Sequence, residues 1–526
     1  MNKQIVTLLR PPIISSRNSF SAPVTPPLAL AYLTAVLERA GIEVDPIDAV
    51  GEDITHIEMQ SQTRRMQGMS LESIVKRIHP DTDILGISVM FSQEWPVIKQ
   101  LITMIREVFP RIVIIGGGEH VTALPEFSLM DCPALDYCGL GEGEDLLLDF
   151  VQTLRSSGDL SSVAGLAYRD QQGIKRTETR KRIREVDNIP LPAWDRLPIE
   201  VYLSSSYGMG VNQGRNMPML ATRGCPYQCT FCSNPVMYDQ RYFMRSPEEI
   251  IQEMMLYIDK YKATFFEFYD LTAIIRKDWL VKFCNLYLQN NLQVSWSLPS
   301  GTRSEALDAE ALDLLHKTNC HYLVYAPESG SPATLKEIKK QVKLDRLVDS
   351  VKAAVRLGIS TRCNLIIGFP RETSGRILET LRFQAKLAWI GVEDAPIYMF
   401  SPYPGSALFQ QLRDNGKIGE LDEAYFDTLL AQMDLGVTET YCENVPGKVL
   451  RRYRIMGMSM FYGLSYLLRP SRVVRSFRNI FIENMTDTVF EQRVAEMWKR
   501  FRRVVPKDQA RTAGNGKEPS PTSSVS

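Results

Sequence analysis

RGCPYQCTFCSNP, residues 223 to 235, sets three cysteines within eight positions and offers no fourth ligand nearby. Cys225, Cys229 and Cys232 are spaced C-x3-C-x2-C in a loop that holds Gly224 and Pro226 and follows the β-rich run PMLAT, 218 to 222. A structural zinc site closes with four protein ligands, and no Cys or His pair follows at zinc-finger spacing. Iron–sulfur clusters are likewise held by four thiolates as a rule. With three, one iron of a [4Fe–4S] cluster keeps an open position for a substrate or cofactor, by the logic that leaves catalytic zinc one open site.

Outward from this loop, strand candidates recur at PMLAT, FFEFYD, VSWSL, YLVYAPE, STRCNLIIGF and APIYMFSPY, with helix-length stretches between them. Six such units predict a partial (β/α)6 barrel over 206–440. The first 150 residues show the same alternation: KQIVTLL, PPLALAYLTAVLERAG, IEVDPIDAV, DILGISVM, IKQLITMIREVF and RIVIIGGG. That punctuation predicts a doubly wound, Rossmann-like parallel sheet over 1–150. A charged run ending in the proline-rich IPLPAWDRLP predicts a hairpin and linker over 151–205. Residues 441–505 read as helical, and 506–526, polar and rich in Pro, Gly and Ser, as a disordered tail.

The cysteine spacing resembles that of the radical S-adenosylmethionine (SAM) family, in which the open iron chelates SAM and an electron from the cluster cleaves it to a 5'-deoxyadenosyl radical. Phe231 is the aromatic the family pattern expects before the third cysteine. PESGS at 327 to 331 resembles the fourth-strand motif, with Glu328 the implied SAM contact. CNLIIGFPRET at 363 to 373 resembles the fifth-strand motif, with Ile367 and Gly368, and SPYPGS at 401 to 406 the sixth. Relatives in this subgroup carry paired acids after the second strand, whereas here Asp270 is followed by Leu271. Asp270 is therefore either a SAM contact or a cap. Arg303, in SGTRSEAL, either holds a carboxylate or is a surface charge.

IIGGGEHVTALPE and DYCGLGEGEDLLLDF place glycines at strand ends, where parallel sheets bind ligands. Neither matches the dinucleotide fingerprint G-x-G-x-x-G, which disfavours nicotinamide and flavin. With GISVMFS they resemble the cobalamin-binding domain fused to many radical SAM enzymes, although the D-x-H-x-x-G motif is absent. The resemblance implies cobalamin held by Ser88, Val89, Met90, Gly116, Gly117, Gly118, Gly141, Glu142 and Gly143, with no histidine ligand. His120 stands as a turn-stabilising residue or a ligand.

The 526 residues carry 61 basic and 61 acidic side chains, so nothing suggests a nucleic-acid partner. Six of the nine cysteines are scattered singly, which fits a reducing cytoplasm and not a disulfide framework. No signal-peptide core and no apolar run long enough to span a membrane is expected. Residues 448 to 503 hold 13 Lys/Arg against 4 Asp/Glu. This region is either a solvated cap over the barrel mouth or a surface for peripheral membrane contact. The resemblance implies a methyltransferase acting on a natural product or lipid-like small molecule, fed by an external electron donor such as flavodoxin or ferredoxin. Alternatives are an oxidative cyclase or rearrangement enzyme on the same scaffold and, more remotely, a non-catalytic cobalamin or redox sensor.

Overall fold

The computed structural model describes residues 5 to 498 apart from 20–22, 205–206, 212–213, 273–274, 304–305 and single positions 433, 435, 437, 484, 489, 493 and 496. The expected tail at 506–526 lies outside the described residues. Parallel strands Glu43–Asp48, Ile5–Arg10, Thr82–Ser88, Val113–Gly117 and Tyr137–Gly139 lie side by side in that spatial order. Their apolar runs reflect burial on both faces, beneath helices such as Leu28–Arg39, Trp95–Val108 and Gly143–Arg155. Strand order reverses between Ile5–Arg10 and Thr82–Ser88, so the crevice of this sheet opens at its carboxyl ends beside Ser88.

The hairpin Leu166–Asp170 and Gly173–Arg176 is not separate from this sheet. It pairs antiparallel with Tyr137–Gly139 and covers that edge with a short, charged outer strand. A small antiparallel sheet of Ile13–Ser16, Ile57–Met59 and Arg64–Gln67 was not expected, since strands of three or four residues with interleaved charges give no periodic signal.

The barrel strands Asn216–Met219, Phe265–Phe268, Ser295–Thr302, Cys320–Glu328, Ser360–Ile367 and Ile397–Met399 are parallel and adjacent in chain order. An open barrel leaves the sixth strand as an edge. Helix Gly447–Leu468 covers it, running down the strand's outside against helix Ser374–Ile390. Buried Arg454 donates to the Ile397 carbonyl at 2.8 Å. Gly457 permits this approach, because a Cβ there would stand 2.5 Å from the Ile397 side chain. The next helix, Ser471–Arg478, turns beneath the barrel, at the amino ends of its strands, whereas the start of helix Gly447–Leu468 stands at the carboxyl end of the fifth strand, where Leu450 packs on Gly368. Among the described residues no helix is long and apolar enough to cross a membrane.

Candidate functional site

The cysteine loop is held at both ends. Thr222–Gly224 pairs antiparallel with Tyr242–Met244, so residues 225 to 241 form the tip of a two-stranded ribbon above the first barrel strand. Cys225, Cys229 and Cys232 are free, half-buried thiols. Around them, the Thr230 amide donates to the Ile338 carbonyl at 3.0 Å, and the Leu408 amide donates to the Thr230 carbonyl at 2.8 Å. Phe231 packs on Phe369 with ring centroids 5.8 Å apart, and the Thr272 hydroxyl stands 3.6 Å from the Cys225 sulfur. Burial raises the Cys229 thiol and pushes Cys232 up to about 12. Such thiols ionise when a metal ion's charge deprotonates them.

Among the described residues no three His, Cys, Asp or Glu side chains are gathered tightly enough for a single metal ion. The donor set fits a cluster that brings its own inorganic core: three thiols on one clamped loop, with no fourth. The guanidinium carbon of buried Arg303 stands over the Tyr227 ring, 3.7 Å from its centroid, and Arg303 donates to the Gln341 carbonyl, so it helps shape the loop. Glu328 ends the fourth strand at φ 64, a left-handed conformation that costs a non-glycine residue roughly 1–2 kcal/mol. A strained carboxylate at a strand end beside the cysteines is the kind of position kept for binding. Its partner, buried Lys340 at 2.9 Å, carried no signal in the sequence.

Other residues have different duties. Asp270 is fully buried and accepts from the Ala221 amide at 3.1 Å and from the Thr222 hydroxyl. Burial pushes its carboxyl up to about 6, and these donors pull it partly back. It fixes the approach to the ribbon through residues some fifty positions earlier and does not cap the following helix, which begins at Lys277. Ile367 is fully buried in the core, and its carbonyl accepts from the Phe400 amide at 2.9 Å. Gly368 turns at φ 88, with its amide 2.7 Å from Glu372, whose carboxyl burial raises to about 7. Glu372 was missed, although it stands in the same motif.

In the first domain, Gly118 at φ 124 lets two strand ends meet, since a Cβ there would lie 2.7 Å from the Val89 carbonyl. The Val89 amide in turn donates to the Gly117 carbonyl at 2.7 Å. A Cβ on Gly117 would meet nothing within 4 Å, whereas Gly116 is packed inside. Met90 is exposed beside Phe91. Of these glycines it is Gly117 that has open space where a side chain would stand, which leaves its backbone approachable by a ligand. Gly141 turns at φ 83 and donates to the Thr122 hydroxyl at 3.1 Å. Gly143 begins its helix packed against Leu33. Glu142, by contrast, is committed to protein: it accepts from Arg182 at 2.8 Å and from the Ile183 amide at 2.9 Å. His120 is walled in by Trp95, Phe127 and Phe426, with Nδ1 2.9 Å from the Ser92 hydroxyl. Burial lowers its pKa to about 3, so it is a neutral core residue.

The two sets of strand ends meet. The Ser233 hydroxyl, next to Cys232, donates to Glu119, next to Gly118. Thr122 contacts the Met237 sulfur at 3.6 Å, and Gly141 lies 3.7 Å from the Met237 carbonyl when given a Cβ. The cysteine loop and the glycine-rich loops are therefore neighbours across the domain junction.

Two family models match: the radical SAM superfamily over residues 219–383 and the B12 binding domain over 21–151. The chain is 27% identical over 470 residues to an uncharacterised methyltransferase of Pyrococcus horikoshii, covering 89% of this chain and 94% of the relative. It is 28% identical over 456 residues to cytidylyl-2-hydroxyethylphosphonate methyltransferase of Streptomyces wedmorensis, covering 80% and 84%. An anaerobic magnesium-protoporphyrin IX monomethyl ester cyclase of Cereibacter sphaeroides is 25% identical over 410 residues, covering 77% and 63%. The fold matches OxsB, a cobalamin-dependent SAM radical enzyme solved with aqua-cobalamin and SAM bound, at TM-score 0.67 and 15% identity, over 95% of this chain and 75% of that one. The chain thus joins a B12 binding domain to a domain of the radical SAM superfamily.

Proposed function

We propose that this enzyme is a cobalamin-dependent radical SAM methyltransferase acting on an unactivated carbon of a natural-product or lipid-like small molecule. One observation carries the reading: the cysteine loop and the glycine-rich strand ends abut through Ser233 with Glu119 and Met237 with Thr122. When bound, the cluster with SAM supplies a hydrogen-abstracting radical and the corrin supplies a methyl donor, and the protein's task is to align them.

In that task Cys225, Cys229 and Cys232 hold the cluster, and Glu328, with Lys340 beside it, and the Gly368 turn border the SAM site. Ser88, Val89, Met90, Gly117, Gly118 and Gly141 border the corrin. Met90, Phe91 and Leu271 are exposed at strand ends of the two domains. Such an apolar lining excludes water from a radical and suits an apolar substrate carbon. The reading includes an external one-electron donor such as flavodoxin or ferredoxin. It also includes a reducing, cytoplasmic setting, which nine unpaired cysteines support.

The 25% identity to the ester cyclase supports a second reading, an oxidative cyclase or rearrangement enzyme. Turnover with SAM labelled in its methyl group separates them. A methyltransferase places label in product and forms S-adenosylhomocysteine beside 5'-deoxyadenosine. Product formed with 5'-deoxyadenosine but neither label nor S-adenosylhomocysteine would replace the first reading with the second.

A further inference from the structure

The lysines of the barrel divide at its fourth strand. Lys260, Lys262, Lys277, Lys282 and Lys317, all that residues 207 to 330 contain, each pair with a carboxylate. Beyond that strand Lys336, Lys339, Lys343 and Arg346 are exposed, and no carboxylate among the described residues lies within ion-pair distance of any of them. The neighbouring acids are already engaged: Arg376 holds Glu337 at 2.8 Å with Arg371 at 3.4 Å, and Lys340 holds Glu328 at 2.9 Å. Within 336–346 that leaves Asp345 against four cations. The whole chain balances 61 basic against 61 acidic side chains, so this excess is local. Local structure does not call for it either, since Lys343 and Arg346 stand at the amino end of helix Leu344–Arg356, where the helix dipole disfavours cations.

The same segment borders the cysteine loop. The Ile338 carbonyl accepts from the Thr230 amide at 3.0 Å, and the Gln341 carbonyl accepts from Arg303, which stands over Tyr227. Lys339 therefore sits between two anchors of the loop. Other sides of the loop are covered, Phe231 by Phe369, Ser233 by Glu119 of the first domain, and the Thr230 carbonyl by the Leu408 amide. It reaches solvent at Pro226 and Gln228. We propose that Lys336, Lys339, Lys343 and Arg346 form the docking surface for a small acidic electron-carrier protein, which passes one electron to the cluster through this exposed side. One electron leaves the carrier's redox centre and enters the cluster, and no bond forms or breaks. Transient electron-transfer interfaces are small and rely on complementary charge for encounter and register, which an unpaired cationic surface supplies. A nucleic acid or an anionic membrane shares the charge but gains nothing from the cysteines beside it.

The proposal rests on the cluster reading given above, and its test separates the two. SAM cleavage to 5'-deoxyadenosine by the full, cluster-loaded enzyme is measured with reduced flavodoxin and, in parallel, with excess dithionite and methyl viologen, small reductants that need no docking surface. At low ionic strength K339E/K343E should lower the flavodoxin-driven rate roughly tenfold, the scale on which charge steers association, and leave the chemically driven rate unchanged. Binding is the second readout. The Kd of flavodoxin for the cluster-loaded enzyme, by calorimetry, should rise by a similar factor in the variant, and wild-type binding should weaken with added salt. K262E/K317E makes the same charge change at the ends of helices Pro247–Tyr261 and Ala309–Lys317, at the amino ends of the barrel strands, and should match wild type. Equal flavodoxin-driven rates and equal Kd in wild type and K339E/K343E, or an equal loss in K262E/K317E, would overturn the docking surface. Wild type that cleaves no SAM with either reductant would bring down the cluster reading, and the docking surface with it. Should K339E/K343E also lose chemically driven cleavage, the charge-neutral K339Q/K343Q is measured against the same expectation, a severalfold loss confined to the flavodoxin-driven rate.

Discussion

At the residue scale, the chemistry most legible in the sequence was the kind that must be local. Three thiolates around one cluster would have to sit on one short loop, so spacing alone is enough to propose Cys225, Cys229 and Cys232. Replacing all three with Ala should abolish bound iron and the visible absorbance of the reconstituted protein, and full retention of iron would refute the assignment. A carboxylate's role is set by partners far along the chain, which is why Asp270 and Glu142 could be noticed but not interpreted. Asp270 is taken up by Ala221 and Thr222, and Glu142 by Arg182. His120 shows the same limit, because its aromatic cage joins residues 95, 127 and 426. Its consequence is measurable as pH dependence. With its pKa lowered by burial to about 3 from the ordinary 6.5, the folded chain refuses a proton that the unfolded chain accepts below pH 6.5. Its contribution to stability is complete above pH 6.5 and is lost toward pH 3, at up to about 1.4 kcal/mol per pH unit. The acid-side slope of unfolding free energy should be shallower in H120Q than in wild type between pH 6.5 and 5. Identical slopes would show that the imidazole already titrates freely in the folded state.

At the element scale, the ribbon that carries the cysteines is fastened to the first domain by buried charges that left no trace in the sequence pattern. Arg223 lies on the ribbon and pairs with Glu144 at 2.6 Å and with Glu142 at 3.6 Å, beneath the ring of Tyr32. Burial alone would raise the Glu144 carboxyl, but Arg223 overrides it and holds it below the usual range. Glu142 and Glu144 also stand at the amino terminus of helix Gly143–Arg155, where the helix dipole favours negative charge. Removing one member of a buried pair strands the other, at a cost of about 3–5 kcal/mol, whereas replacing both with apolar groups is often nearly neutral. E144L should therefore lower the unfolding free energy by that amount, and E144L/R223M should recover most of it. If the double variant is as unstable as the single one, the network is held together by something other than this pair. Iron content gives a second readout, since E144L loosens the ribbon and should lower it while the cysteines stay intact. The helical tone of 441–505 was legible in the same partial way. Its basic and apolar residues were visible in the chain, but which side of helix Ser471–Arg478 faces the protein depends on Glu393, Asp487 and Glu491, which hold Arg472, Arg475 and Asn479, and no periodicity reveals that.

At the scale of the whole molecule, two sheets whose strand ends face one another need a rigid joint, and the proline-rich segment read as a linker provides it. Trp194 is fully buried between helix Leu28–Arg39 of the first domain and helix Pro247–Tyr261 of the barrel. The Ala193 amide donates to the Ala31 carbonyl at 3.0 Å, and the Trp194 indole donates to the Tyr257 hydroxyl at 3.1 Å. Arg196 donates to the Val44 carbonyl at 2.9 Å, and Asp195 accepts from Tyr261 at 2.8 Å. A segment fixed on both sides this way is a wedge and not a tether, so the distance between the two cofactor sites is set by packing. W194A should cost about 3–5 kcal/mol by opening a cavity between the two helices. Its effect on turnover follows from geometry. W194A leaves the three cysteines and the Arg223–Glu144 fastening of their ribbon in place, so iron content and cleavage of SAM to 5'-deoxyadenosine should persist. Methyl delivery needs reacting atoms held at roughly 3–3.5 Å, and a loosened joint misses that condition more often. The ratio of methylated product to 5'-deoxyadenosine should therefore fall severalfold in W194A at a temperature where the variant remains folded. An unchanged ratio would mean that the contacts of Ser233 with Glu119 and of Met237 with Thr122 hold the two sites in register without the wedge.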